Sequence, residues 1–253
     1  MTPAIHAAAG TDGPAILLLH GYGSDHLSWL ANQQQLAAVG RVYALDLPGH
    51  GETPLAGAGL LADLVASVEG AIDAAGIGPV HLVAHSLGGA VAIGLAAARP
   101  DLVRSLALIA PSGLGAAVDA AFLQQYPRSR SLEETDALLK RLVSRPRLIN
   151  RLMVARVQAQ LQAPGGREGL IAIAEELGQI GSVIEPAFQA VAASALPRLT
   201  IWGDADTVVP LDRERLARFG GESLIVAGAA HLPHIESARA VNERLVAWVA
   251  AQA

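Results

Sequence analysis

The run from Val80 to Ala98, VHLVAHSLGGAVAIGLAAA, constrains this chain most, because it holds no Asp, Glu, Lys or Arg. A charge-free run of this length suits a buried or membrane-spanning helix, or a strand that stops and restarts as a helix. The membrane reading fails on the detail. Pro79 precedes the run, while His81, His85 and the pair Gly88-Gly89 interrupt it. Val and Leu come before Ser86, and Ala and Gly come after it. The spacing therefore predicts a strand over 80–85, a sharp turn at Ser86, and a helix that Pro100 closes.

The flanking sequence repeats that alternation. AILLLH (15–20), RVYALDL (41–47) and VRSLALIA (103–110) read as strands. DHLSWLANQQQLAAV and GLLADLVASVEGAIDAAG read as helices, the second ended by Gly76. From Ser112 to about Ala195 no convincing strand appears. LEETDALLKRLV, RPRLINRLMVARVQAQL and REGLIAIAEELGQI all carry helical periodicity, with Pro and Gly between them. The alternation resumes with PRLTIW (197–202), a helix from about Asp212, the strand SLIVAG, and the closing helix SARAVNERLVAWVAAQ. Strands alternating with helices imply a parallel, helix-covered sheet. A helical insertion in such a sheet reads as a cap beyond the strand C-termini, where open sheets bind ligands.

Composition narrows the chemistry. The formal net charge is -5 over 253 residues, so no basic footprint suggests nucleic acid. With no cysteine, thiolate catalysis, disulfides and Cys-based metal sites are excluded. The N-terminal residues lack a basic start and an apolar core, so no signal peptide is expected, and the location expected is cytoplasmic.

Ala84-His85-Ser86-Leu87-Gly88 nearly matches G-x-S-x-G, in which small residues let a nucleophile sit on a strained strand-to-helix turn. A serine needs a base, and the base needs a carboxylate to orient it. His231, in AGAAHLPHIES between the last strand and the last helix, is the histidine placed to reach back over the sheet. His20 and His50 read as loop-fixing residues, and His6 and His26 show no partner in sequence. His234 follows His231 by three, but without other ligands nearby no metal site is expected. IWGDADTVVP offers Asp206 as the acid, with Asp204 as the fallback, and no carboxylate follows LALIA at 111–113. Backbone N–H groups of Leu87 and Tyr22 are the candidate oxyanion donors, since Gly21 and Gly23 let the HGYG backbone approach a ligand.

The stretches HGYGSD, ALDLPGHGET, HLVAHSLGGAVAIGLAAARP, IWGDADTVVP and AGAAHLPHIESARAVNERL together resemble the α/β-hydrolases. The resemblance implies an α/β-hydrolase fold, a mostly parallel, doubly wound sheet with a helical cap inserted after the sixth strand. The core would be 1–111 and 196–253, and the cap 112–195. It implies Ser86 as nucleophile, Asp206 as acid, His231 as base, Tyr22 and Leu87 as oxyanion donors, and no cofactor. More narrowly, LVRSLALIAPSGLG followed by a long helical cap is similar to the acyltransferase-like component associated with acetoin dehydrogenase. Those proteins often carry an N-terminal lipoyl domain. Here the first core strand begins by residue 15 and the single lysine, Lys140, lies in a helical segment, so no lipoyl attachment is expected.

The activity expected is hydrolysis of a carboxylic ester or thioester. Acyl transfer to a thiol or alcohol, and C–C bond hydrolysis, use the same triad and stay open, as does a non-catalytic binding role on the same fold. Haloalkane dehalogenation is disfavoured, because it would want a carboxylate at position 86. His85, Phe122, Tyr126, Met153 and Phe188 are the candidate pocket residues. The partner expected is a small acyl substrate, with no nucleic acid and no membrane. Monomer and homodimer are both open.

Overall fold

The computed structural model describes residues 3, 5–10, 12–55 and 57–252. The outermost positions assigned to the core, 1, 2 and 253, lie outside the described residues. The strands are β1 (Ile5–Ala9), β2 (Ala15–Leu19), β3 (Arg41–Leu45), β4 (Val80–His85), β5 (Val103–Ile109), β6 (Arg198–Gly203) and β7 (Glu222–Val226). They form one sheet in the order β1-β3-β2-β4-β5-β6-β7. All neighbours are parallel except β1, which runs antiparallel to β3 at the edge.

Alternation along the strands divides the core into two layers, because successive side chains point to opposite faces. Leu17, Leu19, Leu82, Leu106 and Leu108 pack into one layer with the helices Leu61–Ala75 and Leu87–Ala98. Ile16, Leu18, Val83, Ala107 and Ile109 pack into the other, against Trp29 and the closing helix Ala238–Ala250. Strands buried on both faces read as unbroken apolar runs, which is why β2, β4 and β5 were legible. No helix among the described residues is long and apolar enough to cross a membrane.

Four features differ from the sequence reading. The helical segment follows the fifth strand among the described residues, not the sixth, and β1 had not been read as a strand at all. DHLSWLANQQQLAAV is not one helix but a short turn, His26–Trp29, and a single helical turn, Gln33–Leu36. Asn32 breaks it. Its buried amide donates to the His234 carbonyl (3.0 Å) and to Asn242 Oδ1 (2.7 Å), tying this chain to the C-terminal segment. The helix Glu185–Ala193, assigned to the cap, packs instead against Leu87–Ala98 and Arg213–Phe219 beside the sheet.

Strand order decides where a site can form. From β2 the chain moves to one side as β3 and then crosses to the other as β4. The loops after β2 and β4 therefore diverge at a switch point, leaving a crevice at the strand C-termini.

Candidate active site

Ser86 stands at the end of β4 with φ 50° and ψ -114°. Only Ser86 and Ala110 are non-glycine residues with positive φ among the described residues. An L-residue there costs on the order of 1–3 kcal/mol and needs its surroundings to hold it. The surroundings do so tightly. Ser86 N–H donates to Ile109 O (3.0 Å), and Ser112 N–H donates to Ser86 O (3.0 Å). A Cβ on Gly88 would lie 2.5 Å from the Leu19 carbonyl oxygen, and one on Gly21 would lie 2.5 Å from His85 Nδ1. Both glycines are thus required by close approach. At position 84, where the motif favours glycine, the alanine methyl is accommodated without any exposure.

The side chains expected to act together are brought together. His231 Nε2 lies 3.0 Å from Ser86 Oγ, and His231 Nδ1 lies 2.8 Å from Asp206 Oδ2. Since the carboxylate accepts, Nδ1 is the donor in that bond, which leaves Nε2 facing the serine hydroxyl. Asp206 is itself fixed, its Oδ1 accepting the N–H groups of Val208 and Val209, each at 2.9 Å. Asp204 is exposed and accepts the Gly228 N–H (2.7 Å), so it stabilises a turn and does not reach His231. All three of Ser86, Asp206 and His231 are buried.

Leu87 opens the helix Leu87–Ala98, which leaves its N–H without an intrahelical acceptor. Tyr22 lies in the loop facing it, and that loop is pinned from above. Tyr22 Oη donates to Leu170 O (2.8 Å), and Tyr126 Oη donates to Gly23 O (2.8 Å). Burial pushes both phenols above their ordinary range, so they stay neutral donors. These two bonds join the helical segment to the glycine loop, a link no sequence pattern announced.

A cavity of about 440 Å³ lies over Ser86. Gly21, Tyr22, Ser86, Ser112 and His231 form its polar end, and Leu139, Leu142, Ile149 and Val157 of the helical segment cover it. His85, Phe122, Tyr126 and Met153, named as pocket residues, line it. Phe188 does not. It is buried against Phe219 (ring centroids 5.4 Å) under Arg215, because its helix packs beside the sheet. Its apolar character reflected core packing.

Two groups in the cavity wall were missed. Ser112 Oγ lies 3.3 Å from Ser86 Oγ. If Ser86 gives its proton to His231, the Ser112 hydroxyl is the donor in that contact. The signal was present in the sequence only as the absence of a carboxylate after LALIA. His234 lines the cavity, and burial followed by the nearby His231 pushes its imidazole down to about 3. His85 is held well below its ordinary value by burial, then by His234 and His231. Its Nε2 donates to the His231 carbonyl (2.9 Å). His85 and His234 therefore enter as neutral walls, and of the two only His85 has a side-chain hydrogen bond among the described residues.

Elsewhere, His6, His26 and Asp46 bring donor atoms within 4.8 Å of one another. The His6 and His26 rings are stacked, with centroids 4.1 Å apart at 13°. Lone pairs in near-parallel planes do not converge on one cation. Asp46 instead accepts the N–H groups of His26 (2.7 Å) and Glu52 (3.1 Å), which fixes the β3 loop.

Comparison with known proteins agrees with this architecture. The sequence model of the Alpha/beta hydrolase family matches residues 16–244. The chain is 34% identical over 243 residues to the dihydrolipoyllysine-residue acetyltransferase component of the acetoin cleaving system of Pseudomonas putida. It is 32% identical over 241 residues to the same component from Cupriavidus necator. The alignments cover 95% of this chain and 64% of each relative, so the chain spans less than two thirds of their length. Among solved structures, a putative lipase from Acinetobacter baumannii superposes with a TM-score of 0.86 at 20% identity, covering 99% of this chain and 92% of that one. A meta-cleavage product hydrolase from Pseudomonas fluorescens gives 0.82 at 20% identity over 97% and 93%. At these identities the structures establish the shared fold.

Proposed function

The chain belongs to the alpha/beta hydrolase family, and from that premise we propose that it is a serine hydrolase of carboxylic esters or thioesters. The observation that carries the reading is the unbroken relay Ser86 Oγ–His231–Asp206, with bonds of 3.0 and 2.8 Å, opening into an apolar cavity. In this reading Ser86 Oγ attacks the acyl carbon while His231 Nε2 takes its proton. The oxyanion is held by the N–H groups of Leu87 and Tyr22. His231 then hands the proton to the leaving alcohol or thiol, and the acyl group stays on Ser86. Water, deprotonated by His231, attacks that ester, releases the acid and returns the proton to Ser86. Asp206 keeps the imidazole in the tautomer that both halves need. The helices between Ala120 and Leu177 act as the cap that excludes bulk water.

Acyl transfer is the second reading, with a thiol taking the place of water. The sequence likeness to acetyltransferase components favours it. Two measurements test the pair. A fluorophosphonate should add once to the protein and not at all to Ser86→Ala, whose turnover should fall on the order of thousands-fold or more. Turnover surviving that change removes the mechanism. Mass analysis of products with and without added thiol then separates hydrolysis from transfer.

A further inference from the structure

The segment Ala137 to Arg167 contains Lys140, Arg141, Arg145, Arg147, Arg151, Arg156 and Arg167 and no carboxylate, in a chain of net charge -5. Four of these cations are engaged. Lys140 pairs with Asp136, Arg141 with Asp119, and Arg156 with Asp25, while Arg167 donates to the carbonyls of Pro127 and Ser129. Arg145, Arg147 and Arg151 are exposed, and none of their side chains makes an ion pair or hydrogen bond with the described residues.

The position of these three follows from their neighbours. Leu148, Ile149, Asn150, Leu152 and Met153 line the cavity above Ser86. Leu152 lines it while 78% exposed, and Leu30 does so while 60% exposed. A residue that both lines a cavity and faces solvent marks its mouth. Arg147 directly precedes the lining residue Leu148, Arg151 stands between the lining residues Asn150 and Leu152, and Arg145 lies three positions before Leu148, so three exposed guanidiniums flank the segment that forms the mouth.

We propose, on the reading that Ser86 is the nucleophile, that the substrate is an anionic amphiphile. Its reactive carbonyl sits at Ser86, its apolar span fills the cavity, and a carboxylate or phosphate end is held at the mouth by Arg145, Arg147 and Arg151. The size fits. A cavity of about 440 Å³ has room for on the order of fifteen non-hydrogen atoms, taking ~30 Å³ for a water-sized group. The chemistry fits too. Guanidinium offers paired donors matched to carboxylate and phosphate oxygens. Clustered like charges beside a low-dielectric cavity also raise the local concentration of an opposite charge.

The test compares p-nitrophenyl monoesters of α,ω-dicarboxylic acids with p-nitrophenyl esters of the same chain length that end in a methyl group. The wild-type protein should favour the anionic ester by about tenfold in kcat/KM, as three exposed charge contacts of ordinary strength would give. Raising the salt concentration should erode that ratio. In R145Q/R147Q/R151Q the ratio should fall towards one. Because a ratio is read, a loss common to both esters cancels. A ratio near one in the wild-type protein, or one unchanged in the variant, overturns the proposal. So would discrimination that appears only when ester is presented in anionic phospholipid vesicles, which would assign the collar to a membrane surface. Fluorophosphonate labelling of Ser86 in the same preparations keeps the outcomes apart. Labelling without charge preference sinks the substrate class alone, whereas no labelling sinks the nucleophile as well.

Discussion

Glu236→Ala should cost the protein about 2–4 kcal/mol and slow chemistry at Ser86, although Glu236 does not line the cavity. The carboxylate is 6% exposed and accepts three bonds. Oε1 takes the Ala230 N–H (2.7 Å), and Oε2 takes the Ser144 N–H (2.8 Å) and hydroxyl (2.5 Å). It thus joins the residue before His231 to the chain between the helices Leu132–Lys140 and Arg151–Gln162. Hydrogen bonds to a charged group contribute about 1.5–3 kcal/mol each, and a buried donor left unpaired costs about 1–3 kcal/mol. Ser144 is exposed, so water can replace the carboxylate there, but Ala230 is buried and its N–H is orphaned. The sum is dominated by Ala230, with a smaller share from Ser144. Ser144→Ala, which removes one solvent-replaceable bond, should cost under about 1 kcal/mol. Urea unfolding measures the stabilities, and the rate of fluorophosphonate addition reads the placement of His231. If Glu236→Ala unfolds within about 0.5 kcal/mol of wild type and labels at the same rate, the carboxylate is not what joins the helical segment to the histidine loop.

Three further outcomes follow from the same geometry. Ser112→Ala should reduce labelling of Ser86 by about threefold to tenfold with the melting temperature unchanged, since it removes one neutral donor to the serine oxygen; an unchanged rate would refute that donor role. Gly88→Ala should destabilise by several kcal/mol or prevent folding, because its Cβ would lie 2.5 and 2.6 Å from the carbonyl oxygens of Leu19 and His20; a soluble variant of wild-type stability, measured by urea titration, contradicts the close approach. Burial first, and neighbouring imidazoles second, push His50 and His234 down to about 3, so below about 6.5 the unfolded chain binds protons that the folded one refuses. Stability is full above that value and falls as pH drops towards 3, by up to about 1.4 kcal/mol per pH unit for each group. Urea midpoints at pH 7 and pH 5 check it, and equal midpoints would show that these rings are not buried neutral.

What was legible in the sequence was whatever leaves a local pattern. β2, β4 and β5 are buried on both faces, so their apolar runs stand out. Ser86 and Gly88 sit together in one turn, and Asp206 and His231 each follow a strand. What was not legible depends on partners distant along the chain. Glu236 meets Ser144 across 92 residues, and Asn32 meets Asn242 across 210. Asn32 breaks what otherwise reads as a continuous helix, because tertiary hydrogen bonds outweigh local propensity. Phe188 misled for a related reason. Its apolar character announces burial but not what it is buried against. β1 was missed because IHAAA has only one β-branched residue, and its edge position next to β3 comes from pairing alone.

The strain at the centre of the site is supported in one place. Ser86 and Ala110, at φ 50° and 43°, end neighbouring strands, β4 and β5. Their turns are bonded to each other and to the next strand. Ser86 N–H reaches Ile109 O, Ala110 N–H reaches Ile201 O (2.9 Å), and Ser112 N–H returns to Ser86 O. The first turn presents Ser86 Oγ to His231, and the second presents Ser112 Oγ to the same oxygen. Neither turn could relax without breaking a bond that holds the other. Two unfavourable conformations thus support each other within one hydrogen-bonded ladder, anchored by three parallel strands. In the proposed mechanism the nucleophile is then already positioned before substrate arrives, so binding energy at the cavity mouth need not be used to organise it. That frees the mouth to discriminate among substrates, the role proposed for the exposed arginines that flank its lining segment.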